Sequence, residues 1–175
     1  MNERISTAVV WLSVFSLCAY AQFGLDPNLQ EKRPIRLYQS DKSEFILEAH
    51  LGAWKLDNGL MTMSNKGKMT LGGGDVPSLN GLREFVVPFF VNDIAAGKLY
   101  IVKLDHDQNG FSWRTNAEGQ NVPLKKYVVL DTSVLNVTKI EDGTRFSLND
   151  HQILPRGRYA ITMANNRYAW DFVIR

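Results

Sequence analysis

The sequence predicts an all-β protein, a single Greek-key β-sandwich domain behind an N-terminal signal peptide. Three observations point there. Short segments rich in Val, Ile, Tyr, Phe and Thr recur from Glu44 onward, separated by Gly, Asn and Asp, and no stretch carries the apolar period of a long helix. Asn109-Gly110 separates two such segments and is the strongest short hairpin signal a sequence offers. Near the end, Leu154, Gly157 and Tyr159 hold the spacing of a corner between two strands.

A chain of 175 residues suits one domain with a full hydrophobic core. Hydrophobic residues make up 45% and charged residues 22%, close to the globular average, which excludes wholesale disorder. Lys and Arg number 20 against 18 Asp and Glu, and the basic residues are scattered. That balance gives no reason to expect nucleic acid as a partner.

Residues 1–21 read as a secretory signal. Arg4 supplies a weak positive start, 5–17 is apolar, and Ala19-Tyr20-Ala21 gives the small-x-small pattern that precedes cleavage before Gln22. The apolar run is short for a membrane span, which needs about 20 residues. The expected location is therefore secreted or periplasmic, with no stable membrane span after cleavage. Cys18 is the only cysteine and lies inside this segment, preceded by the bulky Leu17, which disfavours lipidation there. A mature chain without cysteine cannot rely on disulfides, thiol catalysis or Cys-ligated zinc. Residues 22–34 are polar, with prolines at Pro27 and Pro34, and read as a tether or N-terminal arm. The sandwich domain is expected over 35–175.

Within that domain, 44–51 alternates cleanly, with Phe45, Leu47, Ala49 and Leu51 on one face. Segments 60–64 and 68–71 flank a short hairpin connection at Asn65-Lys66-Gly67, and 72–75 is a loop. Segment 83–91 is apolar, but Pro88 cannot donate to a ladder, so this strand is expected at an edge or broken there. Segment 98–104 is apolar on both faces and reads as central. Segment 111–115 pairs back across Asn109-Gly110. Segments 127–131, 134–140 and 144–148 follow, the last two joined at Asp142-Gly143.

The last hairpin is expected from 159–163 and 168–174, turned at Asn165-Asn166. The Leu154–Gly157–Tyr159 spacing resembles the tyrosine corner of Greek-key sandwiches, in which the Tyr hydroxyl bonds back to backbone a few residues upstream. With this hairpin as the final pair, the fold is expected to be immunoglobulin-like. The resemblance is to a superfold and implies no activity. An outer-membrane barrel is disfavoured, because its strands run to roughly 9–11 residues and most segments here are shorter.

The sharpest chemical motif is Asp105-His106-Asp107-Gln108-Asn109-Gly110. Asp105, Asp107 and Asn109 cluster hard oxygen ligands in one turn, the pattern of a Ca²⁺ loop. An EF-hand would also need Glu at the twelfth position, where Asn116 stands, so a calcium-binding hairpin is the form that survives. A plain hairpin with soluble aspartates is the simpler alternative. His50, His106 and His151 show no metal spacing, and His50 is expected on a solvated face with Glu48. No G-x-S-x-G, H-E-x-x-H or S-x-x-K motif is present, and Gly72–Gly74 is not followed by a P-loop Lys. Trp54 and Trp113 lie at strand ends and are candidate ligand-binding aromatics, whereas Trp170 and Phe172 are expected in the core. Asn136-Val137-Thr138 fits the glycosylation pattern.

The function expected from these features is an exported, non-catalytic interaction module that binds a protein partner or a surface glycan. Two alternatives stand beside it: a carbohydrate-binding module with a structural calcium, and a small exported hydrolase whose site has no recognised motif.

Overall fold

The computed structural model describes residues 33–57, 66–72, 75–88, 99–108, 110–116, 122–131, 134–164 and 167–175. The expected signal segment 1–21 with Cys18, residues 22–32 of the expected arm, segment 60–64 and the Asn165-Asn166 turn lie outside the described residues. Every regular element among the described residues is a strand. In chain order these are β1 (Ile35–Tyr38), β2 (Glu44–Leu47), β3 (His50–Leu51), β4 (Ala53–Asp57), β5 (Lys66–Leu71), β6 (Ser78–Leu79), β7 (Glu84–Val87) and β8 (Leu99–Lys103). There follow β9 (Asp105–Asp107), β10 (Gly110–Asn116), β11 (Val128–Asp131), β12 (Asn136–Ile140), β13 (Gly143–Ser147), β14 (Gly157–Met163) and β15 (Tyr168–Ile174).

They form three sheets, with orders β12-β13-β7-β1-β2, β11-β8-β14-β15-β3 and β4-β5-β10-β9. All pairs are antiparallel except β6, which runs parallel to β15 at the margin of the second sheet. The all-β expectation holds, and the stacking of the first two sheets is that of a β-sandwich. Their shared core takes Ile35, Leu37, Phe85, Val87 and Phe146 from the first sheet. The second sheet contributes Leu99, Ile101, Tyr159, Ile161, Trp170 and Phe172. Phe85 and Phe146 are register partners on β7 and β13, and their rings stack at 4.8 Å.

The second sheet is buried on its other face as well. Val102, Ala160 and Ala169 pack there with Met69, Leu71 and Trp113 of the third sheet. This explains why 98–104 is apolar on both faces: β8 has a core on each side.

The second and third sheets are joined by chain as well as by packing. β8 turns at Leu104 and continues as β9, and β3 passes through Gly52 and continues as β4. Strands that change sheet make the corners of such structures. The pairings then run β8 to β14, β14 to β15, β15 to β3, β4 to β5, β5 to β10 and β10 back to β9. The circuit closes, so a small antiparallel barrel shares β8, β14 and β15 with the sandwich. Gly52 is closely packed at its corner. Its N–H donates to the Arg167 carbonyl at 2.6 Å, and a Cβ would stand 2.5 Å from the Met69 sulfur and 3.2 Å from that carbonyl oxygen.

Several details depart from expectation. Segment 44–51 is two strands rather than one, because the chain leaves the first sheet after Leu47 and enters the second at His50. The face alternation is lost at that crossing, and Leu51 is 58% exposed instead of lying with Leu47. Lys66 and Gly67 belong to β5 rather than to a turn, since its hairpin partner is β4. β7 ends at Val87, so it stops at Pro88 as one branch of the expectation had it, but it lies inside the first sheet between β13 and β1 and not at an edge. Gly143 opens β13 at φ +153°, where a Cβ would stand 2.0 Å from the Val87 carbonyl oxygen. Only glycine fits there.

Candidate functional site

The corner before β14 has the expected hydrogen bond. Tyr159 is fully buried and its hydroxyl donates to the Pro155 carbonyl at 2.7 Å. Burial raises the pKa of its phenol above the ordinary value.

The residues of the expected calcium turn sit on a hairpin. Asp105 pairs with Ser112, His106 with Phe111 and Asp107 with Gly110, so the backbone over 105–107 is extended and laddered. Asp105 is exposed, while Asn109 and the side chain of Asp107 lie outside the described residues. Among the described residues, no three His, Cys, Asp or Glu side chains gather where they could hold a metal ion.

Trp54 and Trp113 share one row of the third sheet, each opposite Met69 of β5. That row faces the barrel interior. Trp113 is only 2% exposed and presents no ring face to solvent, so it belongs to the core. Its indole N–H is buried without a hydrogen-bond partner among the described groups. Trp54 is half-buried, donates Nε1–H to the Thr115 hydroxyl at 3.2 Å, and covers Gly67. Trp170 and Phe172 lie in the sandwich core, as their alternation implied.

The barrel contains a polar cluster that the sequence reading missed. Asp171 of β15 is completely buried. One of its oxygens accepts from Arg158 of β14, through Nε at 3.0 Å and through Nη2. The other lies 2.6 Å from Nδ1 of His50 on β3. Burial falls off along the set: the Arg158 side chain is 10% exposed and that of His50 is 41% exposed. The Arg158 guanidinium lies 3.8 Å over the Phe111 ring, and His106 packs 4.7 Å from the same ring. The line from His50 to His106 thus ties β3, β15, β14, β10 and β9 together. Both carboxylate oxygens are engaged, which is what a buried charge requires. The sequence held one signal for this cluster: Asp171 interrupts a strand that is otherwise apolar on both faces.

A polar concavity lies on the outer wall of the barrel. It is a groove of about 470 Å³ whose lining includes Lys68 of β5, Asp105 of β9, Ser112 and Arg114 of β10, and Lys126. Lys68, Ser112 and Arg114 are each engaged by interactions within the chain, which limits their freedom. Ser112 is 4% exposed. Lys126 sits 4.7 Å over the Tyr127 ring. The segment before it continues the wall, since Leu124 N–H donates to the Arg114 carbonyl at 2.8 Å and Asn116 N–H to the Val122 carbonyl at 2.9 Å. The fold thereby brings three cations, from residues 68, 114 and 126, to one groove. A smaller cleft of about 380 Å³ lies at one end of the sandwich, beside the Arg83–Asp150 ion pair at 2.9 Å and the exposed Ile153.

Comparison with protein-family models, with curated proteins and with solved structures finds no match to this chain in any of the three.

Proposed function

We propose that the chain is an exported, non-catalytic binding module on an immunoglobulin-like frame. Strand order supports the frame. Reading β1, β7, β13 and β12 as A, B, E and D makes the first sheet A-B-E-D with β2 added beside A. Reading β8, β14, β15 and β11 as C, F, G and C′ makes the second sheet C′-C-F-G. Tyr159 then falls near the start of strand F, where a tyrosine corner belongs. On this reading β2–β6 are inserted between A and B, and β9–β10 between C and C′. Of these, β4, β5, β9 and β10 build the outer wall of the barrel.

The observation that carries the binding assignment is the groove on that wall. Its residues come from both insertions and from the segment leading into C′. Its volume falls in the range of small-ligand sites, and its lining is charged where such sites are mostly apolar. Export rests on the apolar run ending at Ala19-Tyr20-Ala21.

Two measurements test the reading. Mass spectrometry of protein made in a secreting host is expected to find Gln22 at the mature N-terminus, and recovery of the intact chain in membranes contradicts export. Arrays of glycans and proteins, each followed by product analysis, are expected to give saturable binding with the ligand unchanged. Turnover of a bound compound contradicts the non-catalytic assignment.

A further inference from the structure

We infer that the open edge of β2 accepts an extended, basic segment of a protein partner, which joins the first sheet as a further strand. This surface is separate from the groove on the barrel wall, and its failure would leave the groove reading untouched.

The hydrogen-bond pattern leaves the edge open. β2 ends the first sheet, and among the described residues no strand lies beyond it. Gln39 N–H donates to the Ser43 carbonyl at 3.1 Å, whereas the Tyr38 carbonyl accepts from Arg83 N–H at 2.9 Å. β1 therefore turns Leu37 and Gln39 toward β2, and Tyr38 toward β7. Phe45 is the register partner of Leu37, so its backbone groups point to β1. The alternation leaves the N–H and C=O of Glu44 and Ile46 pointing away from β1. Such a row is a template for strand addition. The other margins are less open. The register of β11 is irregular between Val128 and Leu130. On β12 the Asn136 side chain is tied to Asn149, and Lys139 is engaged within the chain.

The side chains select the partner. Phe45 and Leu47 face the sandwich core, so Glu44 and Ile46 share the outer face. Ile46 is 66% exposed. Glu44 is exposed beside it, and Glu48 is exposed just past the strand. Among the described residues no ion pair engages either glutamate. Arg36, opposite Ile46 on β1, is already paired with Asp142 at 2.6 Å. An added antiparallel strand that carries a basic, an apolar and a basic residue at alternate positions matches Glu44, Ile46 and Glu48. A second copy of the chain is served less well. The register that sets Ile46 against itself sets Glu44 against Glu48, and like charges opposite one another destabilise.

Nuclear magnetic resonance titration of the amides of the exported protein tests this with three pentapeptides. The first is lysine-threonine-valine-threonine-lysine, the second has glutamate in place of both lysines, and the third is the first with its valine N-methylated. The protein is compared with Ile46→Pro, which removes an open donor, and with Glu44→Lys. Proline is tolerated on an edge strand where its nitrogen faces solvent, and circular dichroism checks both variants. The basic peptide is expected to bind saturably and to shift the Glu44 and Ile46 amides. The acidic peptide is expected to bind about tenfold more weakly, the scale of two cross-strand charge pairs. N-methylation and Ile46→Pro are each expected to weaken binding of the basic peptide, and Glu44→Lys to narrow or reverse the preference between peptides. Absence of shifts at Glu44 and Ile46, or undiminished binding after both N-methylation and Ile46→Pro, overturns the inference. Equal affinity for the acidic peptide overturns the basic class. Self-association that disappears in Ile46→Pro, without peptide binding, overturns it in favour of a second copy.

Discussion

The two cores on either side of β8, β14 and β15 are made of different materials. On the sandwich side, β14 and β15 present Tyr159, Ile161, Met163, Trp170 and Phe172. The polar atoms there end on backbone carbonyls: the Tyr159 hydroxyl on Pro155, and Trp170 Nε1–H on Arg33 at 3.0 Å. On the barrel side the same strands present Ala160 and Ala169, small enough to admit Met69 and Trp113, together with the charged pair Arg158–Asp171. One wall therefore serves two kinds of interior. The sandwich core is held by buried apolar area, which tolerates modest change. The barrel is held in part by a buried ion pair, which tolerates the loss of neither member alone.

The contrast is broken most sharply at Asp171. Asp171→Ala strands the buried Arg158 guanidinium and is expected to cost about 3–5 kcal/mol in urea denaturation. Replacing both members, with Asp171→Leu and Arg158→Met, is expected to cost less than the single change, because no uncompensated charge remains. A double variant as unstable as Asp171→Ala would mean that the pair contributes attraction rather than mutual neutralisation.

A smaller effect belongs to the sandwich side. Tyr159→Phe leaves the Pro155 carbonyl without its donor and is expected to cost about 1–3 kcal/mol. An unchanged urea midpoint would make Tyr159 an apolar filler. The same residue gives an alkaline limit. Burial raises the phenol pKa of Tyr159, and burial followed by the charge of Asp131 raises that of Tyr100. The folded state thus holds these protons more tightly than the unfolded chain does. The resulting stability is complete below the ordinary value of about 10 and is lost as pH rises through the raised values. Stability is expected to fall above about pH 10, less steeply in Tyr159→Phe.

The smallest expected effect is that of calcium. Thermal melts in chelator and in millimolar Ca²⁺ are expected to coincide, because the turn lacks a Glu at the twelfth position, where Asn116 stands. A calcium-dependent rise that disappears in Asp107→Ala would establish the calcium-binding hairpin.

What could be read in advance was local. The alternation of 168–174, the apolar faces of 98–104 and the Tyr159 spacing each depend on a few consecutive residues, and each has its expected place. The barrel depends on pairings between distant segments, such as His50 with Ala169 and Trp113 with Met69. Its corner at Gly52 reads as an ordinary glycine until Met69 is beside it. β4 was overlooked because its alternation is carried by Trp54 and Leu56 alone. The polar cluster draws His50, Arg158 and Asp171 from three strands, and the groove draws its cations from residues 68, 114 and 126. Spacing along the chain does not bring either set together, and for the cluster the one local sign is Asp171 interrupting an apolar strand. Trp113 shows the same limit in reverse: its place after the hairpin suggested exposure, and the closed barrel buries it.

Native-state hydrogen exchange tests most directly the claim that β8, β14 and β15 form one wall covered on both sides. The amides of Ile101, Ala160, Ile161 and Trp170 are expected to exchange slowest, and only through global unfolding. Those of β12 and β2, at the two margins of the first sheet, are expected to exchange sooner through local opening. Exchange at Ala160 and Ile161 as fast as at β12 would contradict the account, for the wall would then lack the cover that the barrel supplies.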